Sequence, residues 1–117
     1  MKLSELSERI HARILTPVTP PGVEISRVYA GDNVSDLLNH ARSGTLVVTN
    51  LVNAQLVRLA ELMDLSAICL LNNTTVAPNI LAGAVKQGTA VLVSPVGMFE
   101  TCGRLYHCLG DEGESQS

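Results

Sequence analysis

The chain has 117 residues, the size of one ordinary domain and too short for two. Hydrophobic residues make up 46% of it and charged residues only 16%, so a full apolar core is available. A net charge of −3 and an aromatic content of 3% exclude the basic, ring-bearing surface that nucleic acid requires, and no apolar run is long enough to span a membrane.

From Lys2 to about Ala12, Leu3, Leu6 and Ile10 recur at helical spacing, and Ser4 or Ser7 is placed to help cap that helix. The polar residues interleaved through this segment leave no continuous apolar stretch, so it does not read as a signal peptide. Thr16 to Gly22, with three prolines, predicts an extended connection, and Val23, Ile25 and Val28 a strand running into Ala30-Gly31. Asp32 or Asn33 then caps a helix with Val34, Leu37, Leu38 and Ala41 inward, ending at Ser43-Gly44.

The pattern now repeats. Thr45 to Thr49 is a short apolar strand, and Asn53 caps a helix bearing Leu56, Leu59, Ala60 and Met63. Ser66 to Leu71 is the next strand; Thr74 or Thr75 caps a helix with Pro78 in its first turn, closed by Lys86-Gln87-Gly88. Ala90 to Val93 is the last strand, and Ser94-Pro95 opens a final helix carrying Met98, Phe99, Cys102, Leu105 and Tyr106. Strands that are apolar throughout and alternate with helices predict an α/β fold, a small parallel sheet with helices on its faces. Residues 1–109 form the single domain, and 110–117 a disordered acidic tail.

In such a sheet, ligands sit beyond the carboxyl ends of the strands, where backbone N–H groups at helix starts favour anions. Asn50, Asn53, Asn72, Thr74 and Ser94 belong to the three loops there, and Arg104 is the nearest cation. The same residue types also serve as plain caps and turn formers.

Catalytic patterns are lacking. The string Gly83 to Gly88 places its lysine wrongly for a phosphate loop and lies in a helix, and no Gly-x-Ser-x-Gly elbow occurs. Asp32, Asp36, Glu61 and Asp64 read as caps and solvating charges. Cys102, His107 and Cys108 do not converge at helical spacing, so no metal site and no cofactor is expected. Three cysteines are an odd number, which suits a reduced, cytoplasmic setting, with Cys69 a small core hydrophobe.

The most distinctive string is Phe99 to Leu105, Phe-Glu-Thr-Cys-Gly-Arg-Leu. Glu100 and Arg104 stand four apart as an ion pair, and Gly103 inside a helix points to close approach of another backbone. A chain so apolar and so poor in charge further suggests that a second copy covers part of its surface, with Phe99 and Gly103 as contacts.

This string, with Ser94-Pro95 before it, resembles the end of the DRTGG domain family; Val28 to Asp32 and Ser35 to Leu38 resemble the opening of its short stand-alone members. The likeness covers about Lys2 to Leu109. Where the family carries Asp-Arg and Thr-Gly-Gly, this chain reads Asn50-Leu51-Val52 and Asn72-Asn73-Thr74.

The resemblance implies a DRTGG-like fold and a regulatory or ligand-sensing homodimer, not an enzyme, similar to the non-catalytic N-terminal domain of HPr kinase. A nucleotide or phosphorylated metabolite would be its ligand, and a redox enzyme or a kinase its protein partner. One alternative is a dimerisation or protein-interaction adaptor without a small-molecule ligand. Another is a small enzyme with its active site across the dimer interface, which would need a titratable group that the strand-end loops do not supply.

Overall fold

The computed structural model describes residues 1–16, 23–33, 35, 39, 44–52 and 54–113. Helix α1 (Leu3–Arg9) is followed by strands β1 (Arg13–Ile14), β2 (Arg27–Ala30) and β3 (Thr45–Val48). Helix α2 (Ala54–Met63), β4 (Ala67–Leu70), α3 (Pro78–Gln87), β5 (Ala90–Val93) and α4 (Met98–Gly113) complete the described elements. The expected helix after Asp32 or Asn33 and the cap Asn53 lie largely outside the described residues.

The sheet runs β1-β5-β4-β3-β2, with β2 to β5 parallel and in sequence order. Right-handed crossovers from β3 to β4 and from β4 to β5 put α2 and α3 on one face. There α2 and α3 meet Val47 from β3, Ile68 and Leu70 from β4, and Val91 and Val93 from β5. Because successive strand side chains alternate faces, Leu46, Val48, Ala67, Cys69, Ala90 and Leu92 point the other way and pack on α1 and α4. The central strands are therefore buried over their whole length, the signature of a sheet covered on both faces.

The parallel sheet has one exception, and it was not predicted. β1 joins the far edge antiparallel to β5, with Arg13 opposite Val93 and Ile14 opposite Leu92. Two residues carry no detectable alternation; the pairing comes from β5's unused edge, extended where Leu15 N–H donates to Val91 O and Thr16 Oγ1 accepts from Val91 N–H.

Caps differ from expectation as well. α1 starts at Lys2 without a side-chain cap, while the Ser7 hydroxyl donates to Ser4 O. α3 starts at Ala77, so Thr74 and Thr75 do not cap it; Pro78 at the first turn needs no N–H partner and presets the backbone. Gly88 ends α3 in the left-handed conformation, as read from the sequence. α4 begins at Met98, not at Ser94-Pro95, and runs through Gly113, taking in the first residues of the expected tail; residues 114–117 lie outside the description. None of the described helices is long and apolar enough to cross a membrane.

Candidate functional site

The carboxyl ends of the parallel strands form a rim held together by its own polar groups. Asp32, just past β2, accepts from Thr49 Oγ1 at 2.9 Å, from the Asn50 backbone N–H at 2.6 Å and from Asn50 Nδ2 at 3.2 Å. The Asn50 backbone donor in particular holds its carboxyl below the ordinary 3.8, against a weaker opposing effect of desolvation. Asp32 therefore bridges the ends of β2 and β3 and is more than the cap or solvating charge read from sequence.

At the next strand end, Asn72 and Asn73 both adopt left-handed backbone conformations, which asparagine tolerates better than most residues. Their N–H groups donate to Val96 O and Ser94 O, joining the loop after β4 to the loop after β5. Ser94 is fully buried, with its Oγ 2.7 Å from the equally buried Thr101 Oγ1, and Thr101 also reaches Val96 O. This pair anchors the start of α4 beneath the loop.

Of the residues expected to touch a ligand, Asn50 and Asn72 are exposed on the rim and Thr74 is half-buried beside them. Asn53 lies outside the described residues. Ser94 faces Thr101 in the interior. Arg104 donates from Nη1 to Ile10 O at 2.9 Å and reaches Glu100 only at 3.9 Å, so it chiefly caps the carbonyl end of α1. Its role as a staple between α4 and α1 is legible only in three dimensions, because Ile10 lies 94 positions away.

A concavity with apolar walls lies elsewhere. A groove of about 400 Å³ runs between β2 and α4, lined by Ser26, Arg27, Val28, Ala30, Cys102, Leu105, Tyr106 and Leu109. Sequence reading did not find it. The available signal was that α4 carries more apolar positions than one inward face needs: Leu105 is buried, whereas Phe99 and Tyr106 are 92% and 81% exposed. The sequence sets both among the apolar residues of that helix and marks Phe99 as a contact to a second copy. Gly103 is exposed too, and a Cβ built on it would meet nothing within 4 Å.

The thiols are quiet. Burial pushes Cys69 up to about 12 and raises Cys102, so neither is a ready thiolate near neutral pH. Among the described residues, no three His, Cys, Asp or Glu side chains converge as metal ligands.

No family model matches the chain, and no curated protein does. Among solved structures it is similar to the CBS and DRTGG domains of the regulatory region of Clostridium perfringens pyrophosphatase, complexed with the activator diadenosine tetraphosphate. The TM-score is 0.72 at 15% identity, over 89% of this chain and 45% of that one, so this chain spans less than half of its neighbour. The fold is DRTGG-like: an α/β domain with a mostly parallel five-stranded sheet.

Proposed function

We propose that the chain is a non-catalytic regulatory module that works as a homodimer and acts through what it binds. The observation that carries this reading is the aromatic face of α4, where the chain's only Phe and one of its two Tyr stand in solvent. Aromatic side chains left out of a core are the ones that association buries. The state of two nucleophilic groups supports a role without chemistry: the Ser94 hydroxyl is buried against Thr101, and burial raises the Cys69 thiol far above neutral pH. The likeness to a regulatory region crystallised with a nucleotide activator supports a regulatory role.

A second part of the reading places an anionic metabolite or nucleotide on the rim, touching Asn50, Asn72 and Thr74. Three strand ends that lead into helices favour this, with the exposed Asn72 side chain and Thr74 on a loop that Asn72 and Asn73 tie to the loop after β5. Ser94 and Arg104 then position the rim, the first through Thr101 and the second through Ile10.

Light scattering of the purified chain at tens of micromolar is expected to give the dimer mass; a monomer would refute the homodimeric reading. A thermal-shift series with phosphorylated metabolites and nucleotides, diadenosine tetraphosphate included, tests the rim. Ligand at about 100 times its dissociation constant adds about 2.7 kcal/mol. No shift with any of them would leave the adaptor reading in its place.

A further inference from the structure

We propose that the groove between β2 and α4 is one half of a two-fold interface, filled by Phe99 of the partner subunit. The inference rests on the homodimeric reading above and specifies the surface it uses.

On the face that carries α1 and α4, cover gives out at β2. Val28 is only half-buried and Ala30 is exposed, although their counterparts Leu46 and Val48 on β3 are fully buried. The groove is the space left there. Beside it, α4 presents Phe99, Cys102, Tyr106 and Leu109, spaced by three, four and three residues, which is the seam spacing of paired helices. Leu105 and Cys108 supply the face that packs on the chain's own core, and Cys102 and Leu109 touch its margin, so on this stripe Phe99 and Tyr106 are the side chains left without cover.

Gly103 sits between the two exposed rings. Among the described residues nothing lies within 4 Å of a Cβ built there, so internal packing gives no reason for a residue that weakens a helix. A second backbone passing close at that point does give one.

The topology sets the direction. α4 starts at the carboxyl edge of the strands and runs back toward Arg27 at the opposite end of β2. A two-fold axis passing between Cys102 and Gly103 makes the two helices antiparallel. It carries the partner's Phe99 to Tyr106 and Leu109, at the Arg27 end of the groove. The partner's Glu100 travels with that ring. Arg27 lines the groove, is exposed and has no ion-pair partner among the described residues. Glu100 is mostly exposed and is held by Arg104 only at 3.9 Å. Opposite charges thus meet at both ends of a self-complementary interface, and each protomer both supplies an aromatic plug and receives one.

The test is the subunit mass of the full chain, by light scattering and sedimentation velocity, with circular dichroism to show that each variant stays folded. Phe99→Glu changes a side chain that is 92% exposed in the protomer, so folding is retained. The dimer dissociation constant is expected to rise by at least about thirtyfold, the effect of losing a buried aromatic anchor. Arg27→Glu and Glu100→Lys each weaken the dimer, and the two together restore it. Leu62→Glu, an exposed apolar position on α2 across the sheet, leaves it unchanged.

A wild-type monomer overturns the homodimeric reading and this interface with it. A wild-type dimer that survives Phe99→Glu, or that dissociates with Leu62→Glu, overturns this interface alone. Failure of the double charge exchange to restore association overturns the antiparallel two-fold.

Discussion

Replacing Gly83 with alanine tests how tightly the helices on the α2/α3 face are set against each other. Gly83 lies within α3, where alanine would raise helix propensity by about 0.5–1 kcal/mol. A Cβ at that position, however, would lie 2.7 Å from Val57 Cγ1 and 3.3 Å from Cγ2 on α2. Carbon atoms pack best at about 3.5–4.0 Å, so the overlap with Cγ1 is close to 1 Å. Val57 is β-branched and stiff within a helix, so a rotamer change offers little relief. Helix α2 must move instead, and overpacking of this kind costs about 1–3 kcal/mol. The net expectation is a loss of about 1 kcal/mol, or roughly 4 °C in melting temperature for a domain of this size.

Urea titration followed by circular dichroism, at fixed protein concentration, measures that loss directly. Repeating it in a Val57→Ala background removes both methyl groups that a new Cβ would strike. There Gly83→Ala should be neutral or stabilising, giving a coupling between the sites of about 1 kcal/mol or more. A higher urea midpoint for Gly83→Ala in the wild-type background, or an equal loss in both backgrounds, would refute the close helix contact.

Three further outcomes follow from the polar groups and thiols. Asp32→Asn should cost about 1 kcal/mol at neutral pH, through weakened acceptance from Thr49 and Asn50. Because its folded pKa lies below the ordinary 3.8, Asp32 contributes stability above that value and loses it as pH falls through the folded value. The gap between the urea midpoints of wild type and variant should therefore close below about pH 4. Ser94→Ala should destabilise by about 1–3 kcal/mol, and Ser94→Ala with Thr101→Val by less than the sum of the single changes, since the double change leaves no unpaired buried hydroxyl. Thiol labelling of the folded chain should reach Cys102 first, faster in Phe99→Glu than in wild type, while Cys69 reacts only on unfolding.

Much of this molecule is legible in its sequence, because burial on both faces of a parallel strand leaves an unmistakable local trace. Thr45–Val48, Ala67–Leu70 and Ala90–Val93 are apolar from end to end, and the stripes Leu56, Leu59, Ala60 and Ile80, Ala84 mark the helices between them. Strands and helices of this kind answer to the spacing of their own residues, so the α/β class and the alternation from β3 through α4 were available before any coordinates. The left-handed Gly88 at the end of α3 was legible for the same local reason.

What tertiary structure decided lies in contacts between residues far apart in the chain. β1 is two residues long and exists because β5 offers a free edge, a fact written in Ala90–Val93 and not in Arg13–Ile14. Ser94 reads as a rim hydroxyl until Thr101 is found 2.7 Å away in the interior, and Arg104 reads as an available cation until Ile10 O claims it. Asp32 becomes a bridge only when β2 and β3 lie side by side. The exposure of Tyr106, and the groove beside it, were hidden for a related reason. Helical spacing shows which residues share a face, but which of two apolar faces turns toward the sheet depends on where α4 docks, and that is set by β2 and α1.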